Sequence, residues 1–226
     1  MKPLFSLILS ATLVATLAGC NQAEKAADEG ATSTSETATQ TTQGTPAATL
    51  AEVNQAAGKD VVQGQRVRVE TTKGSFTIVT FPEAAPKTVE NFLNLAGSGF
   101  YDGVTFHRVI PGFVAQGGDP LSKTLPVGDP RIGTGGSDKT IPGEFNSGLK
   151  HLAGSVAMAR SQDPNSASSQ FYIAYQPLPS LDNNYAVFGH VVEGFDVVQK
   201  INPTERDGAP ITEPAPDKII KMEVQK

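Results

Sequence analysis

Beyond Gln65 the chain is cut into short alternating apolar segments by glycine- and proline-rich breaks, a pattern suited to a fold of many short strands. Arg66-Val67-Arg68-Val69-Glu70 alternates apolar and polar residues, Lys73-Gly74 turns, and Phe76–Phe81 resumes the alternation. This predicts a β-hairpin. Ile219–Val224 predicts a closing strand. Helical spacing is confined to two stretches of this region. Pro86 suits a first helical turn, Val89, Phe92, Leu93 and Ala96 share one face, and Gly97 and Gly99 end it. Glu193–Ile201 turns Phe195, Val198 and Ile201 inward. Many strands with two helices point to a barrel or a sandwich, and periodicity alone does not choose between them.

The N-terminal quarter follows different rules. Met1-Lys2-Pro3 is a short basic start, Leu4–Leu17 is apolar with Ser and Thr interruptions, and Leu17-Ala18-Gly19-Cys20 follows. The apolar run is too short for a comfortable transmembrane helix and has the form of a secretory signal. Its ending resembles the bacterial lipobox, which implies cleavage ahead of Cys20 and lipidation of that cysteine. From Asn21 to about Val62 the chain is rich in Ala, Thr, Ser, Gln and Glu and contains no aromatic residue. Such a composition cannot offset chain entropy by burial and predicts a disordered tether, with at most a weak helix over Ala47–Ala57. The expected organisation is therefore a signal peptide at 1–19, a lipidated tether at 20–62 and a folded domain at 63–226.

Composition excludes several function classes. The formal charge of −5 and the lack of a long basic run argue against a nucleic-acid binder. Cys20 is the only cysteine, so no intramolecular disulfide and no zinc-finger spacing exist. His107, His151 and His190 are scattered, and no metal site or cofactor is expected.

The run Phe106-His107-Arg108-Val109-Ile110-Pro111-Gly112-Phe113-Val114-Ala115-Gln116 carries the chemistry. It places a permanent cation and an amide near an aromatic ring, around a Pro-Gly bend. These groups suit holding a peptide carbonyl beside an apolar ring, not hydrolysis: no Gly-x-Ser-x-Gly element is present and no acid is placed to orient His107. Gly133-Thr134-Gly135-Gly136 lacks the ending of a phosphate-binding P-loop, and reads as a flexible backbone beside a groove.

This run resembles the central motif of the cyclophilins, the cyclosporin-binding peptidyl-prolyl isomerases. Ala85-Pro86-Lys87-Thr88-Val89-Glu90-Asn91-Phe92 precedes it in the family's order. Gly154-Ser155-Val156-Ala157-Met158-Ala159, Ser168-Ser169-Gln170-Phe171-Tyr172-Ile173, Leu181-Asp182 and Val187-Phe188-Gly189 follow it. The likeness covers about residues 65–226. It implies a mainly β fold, an eight-stranded antiparallel barrel capped by two helices. It also implies isomerisation of X-Pro bonds, with Arg108 as catalytic donor, Phe113 under the proline ring and Gln116 on the substrate backbone. His107, Val114, Ala159, Tyr172, Leu181 and Tyr185 match its substrate-binding positions, His107 in a supporting role.

Such a reaction needs neither nucleophile nor metal. The peptide C–N bond resists rotation through its partial double-bond character, with a barrier of about 18–20 kcal/mol. A dry pocket that anchors the proline, with a donor to its nitrogen, favours the twisted amide. Arginine suits the donor's task because its charge is permanent and its fork rigid.

Val114 stands where the eukaryotic pattern has methionine, Tyr172 where it has phenylalanine, Ser180 where it has tryptophan and Tyr185 where it has histidine. These departures imply retained catalysis with weak cyclosporin binding. The resulting expectation is a monomeric lipoprotein isomerase facing the periplasm, with the outer membrane favoured by Asn21 after the cysteine, acting on Pro-containing polypeptides. The alternative is a tethered module that holds such segments without turning them over.

Overall fold

The computed structural model describes residues 45–206 and 208–226; the expected signal peptide, Cys20 and most of the expected tether lie outside the described residues. Strands β1 (Arg66–Thr71) and β2 (Gly74–Thr80) form the predicted hairpin, with Arg66 opposite Val79. Helix α2 (Pro86–Gly97) follows, with Pro86 in its first turn. Then come β3 (Arg108–Ile110), β4 (Val114–Gly117), β5 (Ser155–Met158), β6 (Phe171–Ala174) and β7 (Val187–Glu193). A short helix α3 (Phe195–Gln199), a two-strand hairpin of β8 (Glu205–Arg206) and β9 (Ala209–Pro210), and β10 (Ile219–Val224) complete the chain.

The main sheet is antiparallel, in the order β10-β1-β2-β7-β5-β6-β4-β3. It curls until its two edges approach, and the segments preceding β3 and β10 meet. Thr105 bridges Lys218, Ile219 N–H donates to Val104 O at 2.8 Å, and Phe106 N–H donates to Asp217 O at 2.9 Å. The barrel expected from the sequence is thus a curled eight-stranded sheet, joined by a few bonds at one seam instead of a full ladder.

Strand alternation divides the apolar residues into two sets. Phe76, Ile78, Phe106, Val156, Met158, Phe171, Ile173 and Phe188 point into the barrel. Phe92 from α2 caps them, with ring centroids 4.9 Å from Phe188 and 5.6 Å from Phe171. Val79, Phe81, Val114, Ala157, Tyr172, Ala174 and Val187 form a second apolar cluster on the other face of the same strands.

Part of that outer cluster is covered by a helix N-terminal to the expected domain boundary. Helix α1 (Leu50–Ala57) begins with a capping box, the Thr49 hydroxyl accepting from Glu52 N–H while the Glu52 carboxylate accepts from Thr49 N–H. Val53 is 5% exposed among the outer-face residues. Ala48 N–H donates to Ala153 O at 2.8 Å, and the His190 ring Nε2 lies 2.6 Å from Ala48 O. The expectation of a tether reaching residue 62 is therefore corrected: residues from about Thr45 belong to the folded domain. Composition misled here because a single buried valine and one cap suffice to dock a two-turn helix on an existing apolar face.

Candidate active site

Arg108 and Gln116 sit opposite each other on β3 and β4, and Gln116 pairs with Tyr172 on β6. Their side chains share the outer face with Val114 and Tyr172, which are 2% and 4% exposed. Phe113 closes the bend between β3 and β4, its N–H donating to Ile110 O at 3.0 Å. The Arg108 guanidinium carbon lies 5.9 Å from the centroid of the Phe113 ring. Arg108, Phe113, Val114, Gln116, Ala159, Tyr172, Leu181 and Tyr185 line one cavity of about 240 Å³, together with Arg160. Eight of the nine sequence-predicted pocket residues thus converge.

His107 is the exception. It lines a neighbouring groove, which Arg108 and Gln116 also border, and not the cavity that holds Phe113. Both ring nitrogens are buried without a partner among the described residues. Burial lowers its pKa, with the Asp119 charge acting in the opposite sense. His107 therefore lies behind Arg108 and does not line the cavity shared by the other eight residues.

Two hydrogen-bond chains, absent from the sequence reading, set the polarity of the cavity. Gln170 Nε2 donates to Gly133 O at 3.0 Å and Gly135 O at 2.7 Å. Carbonyls only accept, so Gln170 must turn its amide nitrogen to them and its oxygen to Gln116, whose Nε2 donates at 2.9 Å. The Gln116 carbonyl oxygen is left for another donor. In the second chain, Asp182 Oδ1 accepts from His151 Nδ1 at 3.0 Å and from His151 N–H at 2.8 Å. That fixes a bare Nε2 on the buried imidazole, 2.9 Å from the Tyr172 hydroxyl, which donates to it. The extra hydroxyl at position 172 is thereby drawn away from the cavity. Burial pushes the Tyr172 pKa up, so the phenol stays neutral.

The glycine-rich loop is held, not flexible as the sequence suggested. Fully buried Asp119 accepts from Gly135 N–H at 3.2 Å and also from Gly133 N–H. A Cβ on Gly135 would stand 2.2 Å from Asp119 Oδ1, so the carboxylate reaches the backbone only because that side chain is missing.

Arg108 has one further partner. Its Nε lies 3.5 Å from Glu205 Oε2, across ninety-seven positions of sequence (205 − 108). Thr204 anchors this neighbour on β3: its hydroxyl accepts from Val109 N–H at 2.7 Å and donates to His107 O at 3.0 Å. Asp182 is adjacent to Leu181 and Gln170 stands within the Ser168–Ile173 motif, so both had a sequence signal; Glu205 had none. Among the described residues, no three His, Cys, Asp or Glu side chains gather as metal ligands.

Comparison with known proteins bears on the same residues. The family model for cyclophilin type peptidyl-prolyl cis-trans isomerase/CLD matches residues 66–224. The chain belongs to the cyclophilins. A probable peptidyl-prolyl cis-trans isomerase of Brucella abortus is 43% identical over 67% of this chain and 78% of its own length. Peptidyl-prolyl cis-trans isomerase-like 1 of Neurospora crassa is 39% identical over 70% of this chain and 93% of its own. A cyclophilin type isomerase of Cryptosporidium parvum, crystallised in the presence of the dipeptide Ala-Pro, superposes with a TM-score of 0.61. It is 32% identical and covers 72% of this chain and 99% of that one. In this cyclophilin, α1 starts sixteen residues ahead of the matched region (66 − 50), so the folded domain exceeds what the family model spans.

Proposed function

We propose that this cyclophilin is a lipid-anchored isomerase that accelerates X-Pro rotation in polypeptides folding in the bacterial cell envelope. The observation that carries the catalytic reading is the placement of Arg108 opposite Gln116 in one cavity with Phe113, Val114 and Leu181. A proline ring seated on Phe113 between Val114, Tyr172 and Leu181 would leave its nitrogen toward the guanidinium. Donation to that nitrogen takes up its lone pair, weakens amide resonance and favours the twisted state over either planar one. Gln116, with its oxygen free, accepts a substrate backbone N–H and holds one side of the bond while the other turns. No covalent step is needed.

A charge-assisted hydrogen bond of about 1.5–3 kcal/mol corresponds to roughly ten- to hundredfold in rate. Arg108→Ala should therefore lower the cis/trans exchange rate of an Ala-Pro peptide, followed by NMR, by about that factor while the peptide still binds. Unchanged exchange would remove the donor role. If neither protein accelerates exchange although both bind, the domain is a proline-binding module.

The envelope reading rests on the basic-apolar-Cys20 pattern and the Ala/Thr/Ser-rich stretch behind it. Several acyl chains would hold the protein at a membrane, since one holds only marginally. Labelled palmitate should enter the wild-type chain in cells and be absent from Cys20→Ala; equal labelling of both would count against the anchor.

A further inference from the structure

A second groove of about 340 Å³ opens on the far side of Arg108 from the proline-sized cavity. One wall comes from the loop between β4 and β5, the other from the segment around β9. Leu125, Val127, Ile132 and Ile211 supply its apolar lining, and Val127 is 50% exposed, one of three large hydrophobic residues that stand out from the described surface. The groove adjoins the candidate active site, Arg108 and Gln116 lining both cavities.

The charges at the groove are already engaged within it. Glu205 faces Arg108, and Asp129 is held by Arg131 through Nε at 3.0 Å and Nη2 at 2.8 Å. Among the described residues that line it, no unpaired carboxylate is left to select a cation, and the exposed valine argues for an uncharged apolar ligand. An extended peptide advances about 3.3 Å per residue, so a chain crossing Arg108 reaches the groove within a few residues of its proline.

We propose that this groove is an extended subsite of the isomerase, taking an aliphatic side chain of the client polypeptide a few residues from the isomerised proline. The proposal rests on the proline-pocket reading above and adds a sequence preference to it. It makes the enzyme selective for Pro segments flanked by apolar residues, as exposed by unfolded chains.

The test uses the full chain and nine-residue Ser/Gly peptides with a central Ala-Pro, in which one leucine is moved through the flanking positions. At one or two positions leucine should raise kcat/KM for exchange about five- to tenfold over serine, as expected for moving most of one side chain out of water. In Val127→Asp and Ile211→Asp that leucine-to-serine ratio should fall to about one. The ratio is internal to each variant, so a general loss of activity cancels. No leucine gain at any position, or a gain that survives both substitutions, overturns the proposal. If no exchange is catalysed at all, the isomerase reading fails, and the same ratio taken from peptide dissociation constants still decides whether the groove binds leucine. A sedimentation coefficient lowered in Ile211→Asp would place a second copy of the chain in the groove and overturn it as well.

Discussion

Tyr172 is the residue at which this pocket departs most visibly from an apolar one, and its hydroxyl is tolerated because His151 and Asp182 absorb it. The carboxylate fixes the tautomer, the tautomer fixes the acceptor, and the phenol proton follows. The pair should therefore be strongly coupled. Tyr172→Phe leaves a buried imidazole nitrogen unpaired, and His151→Leu leaves a buried hydroxyl unpaired, each costing about 1–3 kcal/mol. The double variant should cost about 1–2 kcal/mol less than the sum of the two, as read by urea unfolding. Additive costs would mean that the hydrogen bond contributes nothing. Glu205 is the comparable neighbour of Arg108, at 3.5 Å from Nε on the side away from the cavity, which leaves the rest of the guanidinium free.

Among the elements, α1 shows how little is needed to recruit a polar segment into a fold. Its eight residues would not be stable alone, since helices this short are marginal in water. It persists because β2, β5, β6 and β7 carry apolar residues on both faces, and their outer face needs cover. Thr49→Ala should cost about 1 kcal/mol through the lost cap, and Val53→Ala about 2 kcal/mol through lost burial. Both substitutions silent in urea unfolding would mean that the segment does not belong to the cooperative unit. Helix α2 is supported differently: Glu144, fifty-six positions from Thr88 (144 − 88), accepts from the Lys87 and Thr88 N–H groups at 3.0 and 2.9 Å. A carboxylate there satisfies free donors and the positive end of the helix dipole together.

For the whole molecule, acid should be the destabilising direction. Burial lowers the pKa of His107, His151 and His190 in the folded state, against opposing contributions from Asp119, Asp182 and Ala48 or Glu52 respectively. Unfolded histidine titrates at its ordinary value near 6.5, so below that pH the unfolded chain binds more protons than the folded one. Stability is then fully present above about pH 6.5 and declines as pH falls toward the lowered folded values. Urea midpoints at pH 7.5 and 5.5 should differ in that sense, and His190→Gln, which keeps a donor for Ala48 O, should reduce the difference. Equal midpoints would contradict it.

The β1–β2 hairpin, α2 with its Pro86 start, the closing strand and most of the residues that line the Arg108–Phe113 cavity were legible in the chain before folding. Those signals are local: period-two alternation, a Pro-Gly bend and an ordered set of motifs survive in a one-dimensional string. The sequence by itself did not determine which way His107 faces, that residues 45–62 hold a docked helix, or that the glycine-rich loop is pinned by Asp119. Nor did it foresee Glu205 beside Arg108 or the groove beyond them. These depend on closure of the sheet, which brings β8 against β3 and turns one face of each strand outward. A lone carboxylate such as Glu205 reads as a solvated charge until that closure sets it 3.5 Å from a guanidinium. Only the tertiary structure decides this, because the free energy of such contacts belongs to the pair and to the burial around it, not to either residue's neighbours in sequence.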